Sequence, residues 1–541
     1  MDHLDLSLSD HYLPDHNEIM AMPNCLVLKK YKYYDIEKVY FDSNSANHKL
    51  ILFKCDLIMC SSRNLINYIQ NSLFLKTIIF YKCKLGWIFS QKFSEALAVN
   101  PGIGALKFWN CNTKRFVIMR AICSASGLVV ADVRQSQIHT NIKKGEYILP
   151  KGLLAFNLED VRITQDVLQV LAQNLETHQH LAYLNLYDTT KEINLEKQDL
   201  IRHIISKNTS IQHFSLIMKS LYATNFINPL ARNTSIRFLD LEYENLDRPQ
   251  MDVLANVLQI NKIIERLHLD VSVVNWDFLM ALNRSSIQHL RISQRQFYQI
   301  FHDQVLQVCE FLQYNNSLAN LELKIALPDI EMSNCLATSI MHNTALKVLK
   351  IYVIRYSSER SLENVRCIMP ALAYNQTLEE LSFRAFDNSR ILNLPSLKIY
   401  ESLKYNQSLR KLEIYGIYGV SVALDLEDAL THNQTLKHLG LGYVDSRVLK
   451  ALVCTPFITT FEFGSENQHF SSDVINAHVE THLQENRLRI SHLVPNLRLQ
   501  AAKAYSNTHN YMPEPEIVPT EVTEYLMSAR RLYIRSVIKS H

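Results

Sequence analysis

Glycine and proline are scarce, at 11 and 14 of 541 residues, less than half their ordinary share. So little of either excludes collagen-like and Pro/Gly-rich disordered chains, and argues against a turn-dense β-sandwich. Ten cysteines without a single CxxC pair suggest neither a disulfide framework nor a zinc knuckle, and fit a reducing compartment. No apolar run reaches the length of a membrane span, and the start Met1-Asp-His-Leu-Asp-Leu lacks the basic and apolar regions of a secretory signal. The expectation is a soluble, cytoplasmic chain that does not use the general export route. An excess of one charge is also missing. With 56 basic and 53 acidic residues, nothing in the whole-chain balance points to nucleic acid or an anionic membrane.

What the chain has is a repeat. Asn208-Thr-Ser-Ile-Gln-His-Phe214-Ser-Leu216, Asn233-Thr-Ser-Ile-Arg-Phe-Leu239-Asp-Leu241 and Asn343-Thr-Ala-Leu-Lys-Val-Leu349-Lys-Ile351 share one phrase, and Asn375-Gln-Thr-Leu378, Asn406-Gln-Ser-Leu409 and Asn433-Gln-Thr-Leu436 begin three more copies. Its middle apolar residue gives sixteen marks: Leu50, Ile78, Leu106, Leu128, Phe156, Leu184, Phe214, Leu239, Leu267, Leu290, Leu321, Leu349, Leu381, Leu412, Leu439 and Phe461. The mean step of about 27 residues lies within the leucine-rich-repeat range. The two apolar residues before and after one outward position read as a short strand, and the upstream stripe Val253-Leu254-Ala-Asn-Val257-Leu258 reads as a helix. The Asn is expected to end that helix in a left-handed conformation. Stacked side by side, such units make an α/β solenoid of about 16 strand-helix repeats, with strands inside and helices outside. Residues 1–45 are expected to form an N-terminal cap and 46–490 the solenoid. Residues 491–541 are expected to form a short C-terminal helical tail that includes the Pro-rich linker Met512-Pro-Glu-Pro-Glu-Ile-Val-Pro519.

This unit resembles the ribonuclease-inhibitor-like class of leucine-rich repeats, and its Asn-x-Ser/Thr-Leu variant looks most like effectors secreted by intracellular bacteria. The resemblance implies a non-enzymatic protein-interaction module, with translocation into host cytosol and a host protein as partner. Alternatives are a substrate-recruiting ubiquitin-ligase component, which would need an adaptor fold in the first 45 residues, and a cytosolic immune-type sensor or inhibitor. No nucleotide-binding motif supports the last.

Candidate chemical motifs fare poorly. Cys55, Cys83 and Cys111 recur every 28 residues and are expected as buried ladder thiols rather than a metal site. His478 and His482 have helical ligand spacing, but Glu480 sits in neither zincin position. No catalytic residue, metal or cofactor is expected. The N-x-[ST] triplets, glycosylation sequons by pattern, are explained by the repeat. The basic C-terminal helix around Arg530, Arg531, Arg535 and Lys539 could be a packed helix, a secretion signal or a membrane contact.

The outward strand positions are the informative ones. They form two columns on the concave face, one beginning Ile51, Ile79, Lys107, Val129 and the other Phe53, Tyr81, Trp109, Ala131. Partner-binding residues are expected at Phe53, Tyr81, Trp109, Ile51 and Ile79, with Tyr187, Tyr352, Arg384 and Tyr415 further along. The five N-terminal residues are either an apolar anchor in water or a core covered by residues 1–45. The protein partner is expected to bind a monomer, without nucleic acid.

Overall fold

The structure is a computed structural model. It describes residues 25–463 apart from 32–35, 37–38, 40, 42–45, 59–62, 114–116, 137–146, 189–193, 219–225, 272–273, 294–301, 326–329, 354–363, 386–399, 416–419, 442–454 and 456, together with position 484. The expected helix carrying His478 and His482, the Pro-rich linker and the basic tail lie outside the described residues.

One parallel sheet of 17 strands runs through the described chain. Its rungs are Cys25–Lys29, Lys49–Phe53, Thr77–Tyr81, Ala105–Trp109, Val130–Arg134, Ala155–Val161, Tyr183–Asp188, His213–Met218 and Phe238–Leu246. These are followed by Arg266–Val271, His289–Ser293, Asn320–Ile325, Val348–Val353, Glu380–Ala385, Lys411–Tyr415, His438–Leu441 and Thr460–Phe463. They are numbered 1 to 17 here. Each pairs only with its sequence neighbours, in parallel, as expected of strands joined by right-handed crossovers. Helices such as Trp87–Val99, Arg248–Ile260 and Ile330–His342 fill the crossovers. The fold is a leucine-rich-repeat solenoid.

The local reasons are visible in one unit. Asp247 accepts from the Gln250 backbone N–H while the Gln250 side chain accepts from the Asp247 N–H, a capping box that starts the helix Arg248–Ile260. Met251, Leu254, Val257 and Leu258 then turn inward and are buried, each worth about 1.5–3 kcal/mol. They pack behind Leu239, Leu241, Leu267 and Leu269, the inward residues of rungs 9 and 10.

Fifteen of the sixteen marks fall on the paired inward position, and the fourth, Leu128, is corrected. Leu106 faces Ala131, and Ala131 faces Phe156, so Ala131 rather than Leu128 marks rung 5. Leu128 is fully buried too, but it occupies the place that Ile211 and Ile236 hold, three residues before the mark. Gly127-Leu-Val-Val-Ala-Asp-Val133 therefore offered two phases with apolar residues, and only pairing chose between them. The sheet also has a rung the repeat phrase does not announce. Leu26 faces Leu50, so Cys25–Lys29 stands in register inside the segment expected as a cap.

The repeat Asn works differently from the expectation. At Asn208, Asn233 and Asn261 the backbone is extended, with φ of −78°, −71° and −74°, not left-handed. Its side chain is buried and turned toward the preceding repeat. In Asn375, for example, Nδ2 donates to the carbonyls of Ile340 (2.7 Å) and Asn343 (3.0 Å). Its Oδ1 accepts from the backbone N–H of Thr377 and Leu378. Asn208, Asn233, Asn261, Asn343, Asn406 and Asn433 repeat the same bonds. The amide has donors and an acceptor at opposite edges, so one side chain satisfies the helix end behind it and the turn ahead of it.

The N-terminal rungs have a second ladder. Lys30, Lys54, Lys82, Asn110 and Gln135, each following the last outward residue of its strand, take left-handed φ between 48° and 59°. Every one donates its N–H to the next rung, at 2.8–2.9 Å, which offsets the strain of a non-glycine residue there. The turn aims the following side chain inward. Cys83 Sγ thus donates to Leu52 O (3.0 Å), Cys111 Sγ to Phe80 O (3.3 Å) and Ser136 Oγ to Phe108 O (3.1 Å).

Candidate functional site

Correcting rung 5 changes the concave face. Its two outward residues are Asp132 and Arg134, not Val129 and Ala131. The aromatic strip consequently ends against a charged rung.

Ile51, Phe53, Ile79, Tyr81 and Trp109 do meet, as their 28-residue spacing implies, and Cys25 and Val27 extend the cluster by one rung. Phe53 and Tyr81 stack with ring centroids 5.3 Å apart and planes 16° off parallel. Lys54 and Lys82, thrown back by their left-handed backbone, lie 5.2 and 5.0 Å over those rings. The five residues are no more than 7% exposed. The structure therefore puts them in a small core of their own and leaves them little surface to offer a partner.

Beyond Trp109 the face is polar and equally buried. Trp109 Nε1 donates to Asp132 Oδ2 (3.0 Å), and Arg134 Nε (3.0 Å) and Asn157 Nδ2 (2.7 Å) donate to Asp132 Oδ1. Glu159 lies 3.4 Å from Arg134, and Asn185 donates to Asn157. Buried charges require this degree of pairing. In the column before the first inward residue, Tyr183, His213, Phe238 and His268 of the next column form a ring stack, with successive centroids 4.5, 3.9 and 4.6 Å apart. Burial holds the His213 imidazole down at about 4, so it is neutral at pH 7. Tyr187 stands on rung 7, half-buried.

Rungs 12 to 15 bring together the remaining candidates. Lys324, Tyr352, Arg384 and Tyr415 occupy one column on consecutive strands. The Lys324 ammonium lies 5.6 Å from the Tyr352 ring, and the Arg384 guanidinium lies 5.9 Å from Tyr352 and 4.8 Å from Tyr415. Cation and ring alternate, each contact worth about 0.5–1 kcal/mol at such sites. Arg384 Nη2 also donates to Glu413 (3.3 Å), whose other oxygen is 3.0 Å from Lys411 and 3.5 Å from His438. Burial alone would raise the Glu413 carboxyl, but the nearby His438, Lys411 and Ser382 outweigh that and hold it well below the usual range.

The Tyr415 hydroxyl donates to Glu462 across rung 16 (3.4 Å). Gly440 makes room for it, since a Cβ there would fall 2.6 Å from that oxygen. Burial, and then Glu413 and Glu462, push the Tyr415 phenol up to about 12, so it remains a donor. Glu413, His438 and Glu462 have donor atoms within 4.8 Å of one another, the spacing a metal would need. Arg384 and Lys411 already hold both oxygens of Glu413, however, and a cation would have to displace them.

Sequence reading missed Lys324, Glu413 and His438 as members of this cluster, although the column arithmetic names their rungs. It also missed a set of exposed rings on the solenoid edge, at Tyr314, His342, Tyr374, Tyr405 and His432. Each immediately precedes a ladder Asn. Because that Asn points inward, its predecessor must face solvent.

No protein-family model matches the chain, and no curated protein matches it. The crystal structure of a TLR13–ssRNA13 complex is similar at 13% identity and a TM-score of 0.43, over 77% of this chain and 64% of that one. Actin-binding site 2 of leiomodin-1 is similar at 13% identity and a TM-score of 0.21, over 42% of this chain and 99% of that one. The chain thus spans less than two thirds of the TLR13 chain. The fold stands on strand register and the Asn ladder, not on these likenesses. Among the described residues, no helix is long and apolar enough to cross a membrane.

Proposed function

We propose that the protein is a non-enzymatic interaction scaffold that binds another protein through the concave sheet of rungs 12 to 15. The observation that carries this reading is the column Lys324–Tyr352–Arg384–Tyr415, four large side chains fixed by cation–ring contacts on adjacent strands. Pre-ordered side chains lose little entropy on binding, and Tyr and Arg are the residue types that anchor interfaces. The N-terminal strip Ile51, Phe53, Ile79, Tyr81 and Trp109, buried as it is, supports the sheet. Tyr187 sits too far from rungs 12 to 15 to share one contact patch with them. That the chain is a translocated bacterial effector and its partner a host protein rests on the resemblance of its Asn-x-Ser/Thr-Leu phrase.

The test is affinity capture from host-cell lysate, comparing the native chain with Tyr352→Ala/Arg384→Ala/Tyr415→Ala. These side chains are half-buried, so the variant should unfold at a lower temperature through loss of the Arg384–Glu413 and Tyr415–Glu462 bonds, yet remain folded at 25 °C by circular dichroism and lose the captured protein. Retention of the same protein by the folded variant would remove this surface from consideration.

A further inference from the structure

On this concave surface the two signs of charge are not equally placed. Arg384 is 41% exposed and Lys411 33%, whereas the Glu413 carboxylate they share is 5% exposed beneath them. Rungs 14 and 15 therefore present the cations of this cluster and cover its carboxylate. Arg and Lys have donors only, and both tyrosines keep their protons, because burial and neighbouring carboxylates raise them. A ligand that satisfies this surface has to supply acceptors and negative charge.

Ring faces decide between the anionic polymers. A nucleic-acid strand needs open aromatic faces for its bases, but Tyr352 is flanked by Lys324 and Arg384, and Tyr415 by Arg384. An extended peptide needs none. It can cross neighbouring strands at about 4.8 Å each, setting carboxylates against Lys324 and Arg384 in turn.

We infer that the concave face over rungs 12 to 15 docks an extended acidic segment of the partner protein, aligned by Lys324 and Arg384. This rests on the surface proposed above and names the chemistry of what it binds.

The experiment uses the full chain and a fluorescein-labelled dodecapeptide of alternating Glu and Ser, with the Lys–Ser counterpart and a dodecathymidylate as controls, followed by anisotropy at 50 mM and 300 mM NaCl. The Glu peptide should bind saturably, at least tenfold tighter than the Lys peptide, and weaken at the higher salt. Lys324→Gln/Arg384→Gln should weaken it at least tenfold in a variant whose circular dichroism shows the native fold. No saturable binding, binding indifferent to the double replacement, or preference for the oligonucleotide would each overturn the inference. If the triple alanine variant loses its captured protein while the Glu peptide fails to bind, the surface stands and the acidic partner falls. If capture persists in that variant, the surface itself falls.

Discussion

The indole Nε1 of Trp109 donates to Oδ2 of Asp132, 3.0 Å away on the adjoining rung. This one bond joins the apolar strip to the buried polar network, so the aromatic residue and the carboxylate depend on each other. Asp132 has no exposed surface and relies on Trp109, Arg134 and Asn157 for all its donors.

Trp109→Ala should therefore cost stability rather than binding alone, by about 3–5 kcal/mol for the cavity. Trp109→Phe keeps most of the volume but leaves Asp132 one donor short, for a loss of about 1–3 kcal/mol. Urea unfolding of both variants measures this. An alanine variant of native stability would show that the strip is not a core.

Asn375→Ala removes two donors and an acceptor that serve four backbone groups in two repeats. The expected loss is about 3 kcal/mol or more, since buried polar backbone groups are left without partners. Tyr374→Ser, one residue away and exposed, should change stability by less than about 0.5 kcal/mol. Thermal unfolding of the pair compares ladder against surface at the same place in the chain.

His213 binds its proton more weakly when folded, at about 4, than in an unfolded chain, at about 6.5. The unfolded state therefore takes up more protons as the pH falls below 6.5, and stability is lost between that value and about 4. At pH 5 the loss amounts to about 2 kcal/mol. His213→Phe, between the Tyr183 and Phe238 rings, should remove this part of the acid sensitivity. Denaturation midpoints at pH 7 and pH 5 for the two proteins give the comparison, and an equal drop in both would exclude His213 as the cause.

Burial pushes the Cys111 thiol up to about 12 and raises the Cys83 thiol as well. Thiolate is the reactive form, so both should resist iodoacetamide at pH 8 in the folded protein and react once it is denatured. Mass spectrometry of peptides from native and denatured samples reads the difference. Rapid native labelling of Cys111 would contradict its placement in the ladder.

The sequence by itself determined the architecture, because a leucine-rich repeat writes its period, its inward residues and its Asn into consecutive positions that interact locally. Fifteen of the sixteen marks needed nothing else. It also placed Tyr352, Arg384 and Tyr415 in one column, since column membership follows from register alone. Rung 5 could not be read this way. Leu128 and Ala131 are both apolar, both buried, and separated by a distance that either phase allows, so only pairing of Ala131 with Leu106 and Phe156 showed that Asp132 and Arg134 are the outward residues on the concave face. Tertiary structure likewise decided that Trp109 is buried while Arg384 is exposed, because both occupy the same position in the repeat. What differs is what packs above them, and in a solenoid that depends on neighbouring rungs and on turns such as those at Lys54 and Lys82, whose left-handed backbone leaves no mark in the apolar pattern.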